Sequence, residues 1–178
     1  NQIRNWNMEF MHGDILDKEF LTKHLKDADI VHHLAGITHV PRTKGESTSE
    51  RDEKIKLVGE KGTQNILDSI NNKCKIIFPS THVVYEGIEK VKNDIKEDEE
   101  TKPVLSYSSS KAINETQLKK SGKNYVILRL GSVYGYSTDT TRIDIMPNLF
   151  SKIASQDGTI NLFAGGKQIK STVQLIDV

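Results

Sequence analysis

Three short apolar runs, separated by stretches of helical periodicity, constrain the fold of this 178-residue chain more than any other feature. They are Ile30–Val31–His32–His33–Leu34–Ala35–Gly36, Lys75–Ile76–Ile77–Phe78 and Tyr125–Val126–Ile127–Leu128. A run that is apolar on both faces belongs to a strand covered on both sides, the situation of a parallel sheet. Between the runs, Asp17 can cap a helix over Lys18 to Lys26, with Phe20, Leu21 and Leu25 as its apolar stripe. After a polar loop around Pro41 and Gly45, a long helix is expected from Glu50 to Asn71, where Ile55, Val58, Gly62, Ile66 and Ile70 share one face. A third helix is expected from Tyr107 to Lys120. Strands alternating with helices imply an α/β fold, a parallel sheet with crossover connections, in which ligands bind beyond the carboxyl ends of the strands. The loops after Leu34, Phe78 and Leu128 are therefore expected to face ligand.

Less regular segments complete the reading. Met8–Glu9–Phe10–Met11 is a strand candidate closing at Gly13–Asp14. The charged stretch from Glu86 to Pro103 reads as a solvated loop, and Gly131 to Thr141 as another. A helix near Ile145 to Ala154 and short strands near Ile160–Phe163 and Thr172–Leu175 follow. With 35% hydrophobic and 28% charged residues and a net charge of +1, the chain gives no electrostatic reason to bind nucleic acid or an anionic membrane. Its only cysteine, Cys74, permits no intrachain disulfide and reads as a small buried hydrophobe. No apolar run is long enough to span a bilayer and the start is not a signal peptide, so a cytoplasmic location is expected.

Chemistry concentrates at Tyr107–Ser108–Ser109–Ser110–Lys111. A tyrosine and a lysine four apart lie on one helix face, and the ammonium favours the phenolate, turning tyrosine into a general base. The same spacing also arises on ordinary surface helices. Ser80–Thr81, at the end of an apolar run, could offer a hydroxyl to the same substrate oxygen or simply cap a turn. His82 reads either as an acid/base or as a loop histidine. His32 and His33 adjoin on a strand and point to opposite faces, so they do not chelate together, and no metal site is expected.

Six segments, in order, resemble the extended short-chain dehydrogenase/reductases of the NAD-dependent nucleotide-sugar epimerase/dehydratase group. Asp29 to Gly36 is similar to D-x-V-x-H-L-A-A, and Gly62–Thr63–Gln64–Asn65–Ile66–Leu67 to G-T-x-N-L-L. Ser80 to Tyr85 resembles S-S/T-x-x-V-Y-G, and Pro103 to Glu115 resembles P-x-S-x-Y-x-x-S-K-x-x-x-E. Leu128 to Gly135 is similar to L-R-x-x-N-V-Y-G. Gly165 to Lys170, with Asp177–Val178, resembles a later G-x-G-x-Q-x-R…V-x-D-V segment.

The resemblance implies a Rossmann-like doubly wound parallel sheet, truncated at both ends. Residues 1–178 would be a partial NAD-binding domain, with a C-terminal substrate lobe starting from about residue 143. It implies Thr81, Tyr107 and Lys111 as catalytic residues. Asp14, Ile15, Leu34, Ala35, Gly36 and Ser80, with Tyr107 and Lys111, are expected to bind NAD or NADP. Thr81, His82, Ser132 and Lys170 are expected to bind a nucleotide-sugar. In the implied reaction Tyr107 removes a proton from a sugar hydroxyl while hydride leaves the same carbon. Re-reduction of the keto-sugar then gives an epimer; the alternatives are a reductase or dehydratase of the same family, or a non-catalytic dinucleotide-binding protein. A homodimer is implied for the full-length parent.

The chain also departs from the pattern. The fingerprint G-x-x-G-x-x-G does not occur in it, and Gly59 and Gly62 fall inside a helix. Taken with a start lacking methionine and an end at Asp177–Val178, this leads us to expect an internal fragment with an incomplete cofactor site, whose isolated activity is in question. Gly59 stands where relatives carry Asn, Ser132 replaces an Asn, and Lys170 replaces an Arg, keeping charge but not bidentate geometry. Dehydratases place a carboxylate directly after the catalytic Thr. Here His82 and Val83 follow Thr81, which favours epimerase or reductase chemistry.

Overall fold

A computed structural model describes residues 8–38, 48–138 and 142–178. Two compact units emerge: Asn1–Phe78 with Leu105–Val126, and Pro79–Val104 with Ile127–Val178. The polar loop expected around Pro41 and Gly45 lies mostly outside the described residues.

In the first unit, α1 (Lys18–Leu25) begins where the sequence places it. The Asp17 carboxylate accepts a hydrogen bond from the Phe20 N–H at 3.0 Å, satisfying a helix-end donor that would otherwise lack a partner. β1 (Ile30–His32) pairs in parallel with β2 (Lys75–Thr81), Val31 opposite Ile76. The crossover between them is helical: α2 (Ser49–Lys56), a π-helical turn Leu57–Lys61, and α3 (Gly62–Ser69). α4 (Ser106–Lys120) then leads into β3 (Asn124–Leu130), and the sheet order is β1-β2-β3.

The core sits between this sheet and its helices. Val31, Ile55, Ile66, Leu67, Ile70, Cys74, Ile76, Phe78 and Leu118 are all buried. α3 is buried on most of its circumference and packs against both α1 and α4. Asparagine side chains tie its ends to neighbouring loops. Asn65 Nδ2 donates to the Ile15 and Leu16 carbonyls, both at 3.1 Å, and Asn71 Nδ2 donates to the Lys26 carbonyl at 2.8 Å.

The single long helix expected from Glu50 to Asn71 is thus interrupted by a π turn, and Gly59 explains where. A Cβ at residue 59 would lie 2.2 Å from Ser110 Oγ on α4, so a larger residue would force that hydroxyl to shift. Side chains of α4 take up carbonyls of the widened turn: Asn114 Nδ2 donates to Gly59 O at 3.1 Å and Gln117 Nε2 to Glu60 O at 3.0 Å.

In the second unit, β4 (Ser132–Tyr134) pairs in parallel with β5 (Thr172–Gln174), and α5 (Met146–Ser155) lies between them in sequence. The charged stretch 86–103 is a loop, as expected, but it is pinned. Arg129 Nη1 donates to Tyr85 Oη and, at 3.0 Å, to the Glu97 carbonyl; Tyr85 Oη in turn donates to the Lys96 carbonyl at 3.2 Å. Glu86 accepts from the Val104 N–H at 2.8 Å.

Five further expectations fail. β1 is not buried on both faces: Ile30 and His32 are exposed, and only Val31 between them is buried. Met8–Met11 is not a strand: no neighbour among the described residues takes its backbone groups, and Met8, Phe10 and Met11 are exposed. Ile160–Phe163 forms no strand either, and a 3-10 turn starts at Phe163. The segment Gly131–Thr141 is not all loop, since β4 falls inside it and is held by β5. β3 is not buried on both faces: Tyr125, Val126 and Leu128 are exposed, because β3 closes the β1-β2-β3 order with no further strand among the described residues. Among the described residues no helix is long and apolar enough to cross a membrane.

Candidate active site

α4 carries Tyr107 and Lys111 one turn apart, both half-buried in the first unit. The helix is fixed at its start by Ser108, whose hydroxyl accepts from the Leu105 N–H at 3.2 Å and donates to the Leu105 carbonyl at 2.9 Å. Lys111 Nζ lies 4.4 Å from the centroid of the Phe78 ring and 6.0 Å from that of Tyr107. A cation over an aromatic face is held by the ring quadrupole, a contact of about 0.5–2 kcal/mol depending on desolvation. Lys111 is therefore clamped between the β2 aromatic below it and its own helix.

Burial lowers the Lys111 pKa from the ordinary lysine value to about 8, and the opposing charge of Glu115 limits the fall. Near neutral pH most Lys111 side chains are still ammonium. A positive charge beside a phenol favours the phenolate.

His33 also packs against Phe78: it is buried, its ring centroid 5.2 Å from that of Phe78. It follows β1 directly, and its N–H donates to the Ile77 carbonyl at 2.9 Å. His33 Nε2 pairs with Thr63 Oγ1 at 2.8 Å, while the buried Nδ1 has no hydrogen-bond partner. Burial first, and the Lys111 charge second, lower its pKa to about 4, so the ring is neutral near pH 7. His32 is exposed and His33 buried, as strand alternation requires.

Other sequence-predicted residues of this unit are placed as follows. Asp14 is exposed, and its Oδ1 accepts from the Leu16 N–H at 2.8 Å. Ile15 packs on Gly62, where an added Cβ would meet its side chain at 3.0 Å. Leu34, Ala35 and Gly36 lie exposed just beyond the carboxyl end of β1, and a Cβ on Gly36 would meet nothing within 4 Å.

The second unit holds the rest. Ser80 is buried and Thr81 ends β2, its Oγ1 accepting from the Val83 N–H at 3.3 Å at the start of a 3-10 turn. His82 Nδ1 lies 3.1 Å from the Leu130 carbonyl. A carbonyl only accepts, so Nδ1 carries a proton. Ser132 is half-buried on β4 and its N–H donates to Ser171 O at 2.9 Å, next to exposed Lys170. Thr63, Phe78 and Glu115 surround Lys111 or His33 without having been singled out as site residues. Only the position of Glu115, four after Lys111, signalled its role.

Parallel strands joined by helical crossovers define a Rossmann-like α/β protein. The sequence profile of the NAD dependent epimerase/dehydratase family matches residues 1–178, and the chain belongs to that family. It is 38% identical over 93 residues to CDP-paratose 2-epimerase of Salmonella typhi, covering 48% of this chain and 25% of that protein. It is 28% identical to UDP-N-acetyl-alpha-D-glucosaminuronate decarboxylase of Bacillus cytotoxicus, over 96% of this chain and 54% of that one. A mutant UDP-glucuronic acid 4-epimerase from Bacillus cereus, in complex with UDP-4-deoxy-4-fluoro-glucuronic acid and NAD, superposes with a TM-score of 0.79 at 27% identity. That superposition covers 98% of this chain and 54% of the epimerase. The chain therefore spans about half the length of the decarboxylase and of the 4-epimerase.

Proposed function

We propose that the chain is the proton-transfer part of an NAD-dependent nucleotide-sugar epimerase. The observation that carries this reading is Lys111 held over Phe78 one helical turn from Tyr107, with its charge kept in a largely buried setting. Tyr107 accepts a proton from a sugar hydroxyl at its phenolic oxygen, and the Lys111 ammonium stabilises the phenolate. Thr81 donates a hydrogen bond to the substrate. His82, Ser132 and Lys170 contact the nucleotide-sugar, Lys170 through the charge of its ammonium.

The residues present fit one end of a dinucleotide. The exposed Leu34–Ala35–Gly36 strand end leaves room for a flat group, and Lys111 offers a cation to a ribose. Asp14, Ile15 and Ser80 complete that set, while the glycine fingerprint that would cradle a pyrophosphate is not in this sequence. When bound, NAD supplies the hydride acceptor and donor. NADP would serve the same chemistry.

Epimerisation is favoured over dehydration because His82 and Val83 follow Thr81, and neither is a carboxylate. The substrate lobe begins near residue 143, and the full-length protein acts in the cytoplasm as a homodimer. The test is to incubate the full-length protein with NAD and UDP-glucuronic acid or UDP-glucose and to identify products by NMR. Inversion at one sugar carbon is expected. NAD(H) binding without turnover of any nucleotide-sugar would replace the epimerase with a dinucleotide sensor.

A further inference from the structure

Beneath the Tyr107/Lys111 pair lies a buried acid that the proton-transfer reading leaves without a task. Glu115 is only 1% exposed, although carboxylates are almost never fully buried unless a charge or strong donors compensate them. It sits four residues beyond Lys111 and four before Lys119, so the three side chains form a plus-minus-plus ladder along one helix face. Lys119 Nζ, the outer cation of the ladder, is 3.8 Å from the Glu115 carboxylate and half exposed.

We propose that Glu115 is a positioning residue for Lys111: its buried carboxylate keeps the neighbouring lysine charged, and so keeps Tyr107 competent as a base. Among the described residues, the elements packed on α4 carry charged groups of their own, the Glu60 and Lys61 side chains on the π turn among them. From the end of β1, His33 faces Phe78 as a neutral ring, and from β2 comes the uncharged Phe78 itself. From α3, Thr63 bonds to His33, and Asp68 is occupied by Lys18 at 2.7 Å. The π turn presents the Gly59 and Glu60 carbonyls, taken by Asn114 and Gln117. α2, also packed on α4, balances Glu50, Asp52 and Glu53 against Arg51, Lys54 and Lys56. Burial and Glu115 are the two influences on the Lys111 pKa, acting in opposite directions.

The proposal rests on the proton-transfer reading for its consequence but not for its test. Lys111 is titrated in the 178-residue chain by NMR of its labelled side chain, assigned with Lys111→Arg. Glu115→Gln keeps the size and one acceptor oxygen, replaces the other with a donor NH2, and removes the charge. It is expected to lower the Lys111 pKa from about 8 by about one unit or more, the effect of an opposite charge nearby. Glu115→Asp draws the carboxylate back by one methylene and lowers it less; if Glu115→Gln does not fold, this variant decides. Lys119→Met leaves Glu115 in place and should leave the Lys111 pKa unchanged or raised. An unmoved Lys111 pKa in Glu115→Gln, or in Glu115→Asp where only that folds, overturns the proposal. So does Lys119→Met lowering that pKa as far as a Glu115 substitution. In the full-length enzyme, the alkaline fall of kcat with pH should move to lower pH in Glu115→Gln at unchanged KM. A shifted Lys111 pKa in a protein that turns over no nucleotide-sugar leaves Glu115 in its role and removes only the epimerase reading.

Discussion

His33 should make the fold sensitive to acid, and the size of the effect follows from its surroundings. The ring is 3% exposed, its pKa falls from 6.5 to about 4, and burial is the main cause, with Lys111 adding to it. In the unfolded chain His33 takes up a proton near its ordinary pKa; in the folded chain it does so only near pH 4. The neutral ring's contribution is complete above pH 6.5 and is lost as pH falls from there to about 4. At about 1.4 kcal/mol per pH unit, that interval corresponds to about 3 kcal/mol. Against a typical total of about 5–15 kcal/mol this is a large fraction. Lys111 stays protonated throughout the window, so its charge adds to the cost of a second cation beside it. Urea unfolding at a series of pH values, for the native chain and for His33→Gln, isolates the effect, because the carboxylates titrate in both. His33→Gln should lose about 3 kcal/mol less between neutral pH and pH 4. Parallel pH profiles for the two proteins would refute the burial argument.

Other substitutions probe other parts of the fold. Gly59→Ala should gain about 1 kcal/mol of helix propensity but lose about 1–3 kcal/mol to overpacking, since its Cβ would meet the hydroxyl of buried Ser110 at 2.2 Å. In a Ser110→Ala background the same change should become stabilising, and thermal unfolding of the four proteins reads the coupling. An equal effect in both backgrounds would remove the close-approach explanation of the π turn. Asp17→Ala deletes the α1 cap and should cost about 1 kcal/mol in urea unfolding; an unchanged midpoint would show that water serves the Phe20 N–H equally well. Cys74 is wholly buried, and burial is the main cause pushing its thiol pKa up, so a thiol reagent should label it only as the chain unfolds. Rapid stoichiometric labelling of the folded protein would contradict that.

Much of the fold is legible in the sequence where the local signal and the tertiary demand agree. Asp17 announces α1 because a carboxylate at that position meets an unpaired N–H in any context. The β2 run is buried on one face and half-buried on most of the other, whereas β1 buries Val31 and leaves Ile30 and His32 exposed. The signal fails where partners decide. Met8–Met11 has no strand beside it among the described residues, and β4 has only three residues, which pair because β5 lies alongside. The π turn was hidden because Gly59 departs from regular helix only through its approach to Ser110, a residue 51 positions away. In the site, the Tyr107/Lys111 spacing could be read directly. The Phe78 ring under Lys111 could not, since it comes from a strand, and β2 is adjacent to α4 only in the folded chain.

The central claim, that Tyr107 is the proton acceptor of a nucleotide-sugar epimerase, is tested most directly by Tyr107→Phe in the full-length protein. The variant keeps the ring and removes the phenolic oxygen, so the fold and nucleotide-sugar binding should be retained. Epimer formation, followed by NMR at saturating substrate, should fall by about 100-fold to 10,000-fold, the usual contribution of a positioned acid/base. Turnover by Tyr107→Phe at the rate of the native protein would contradict it.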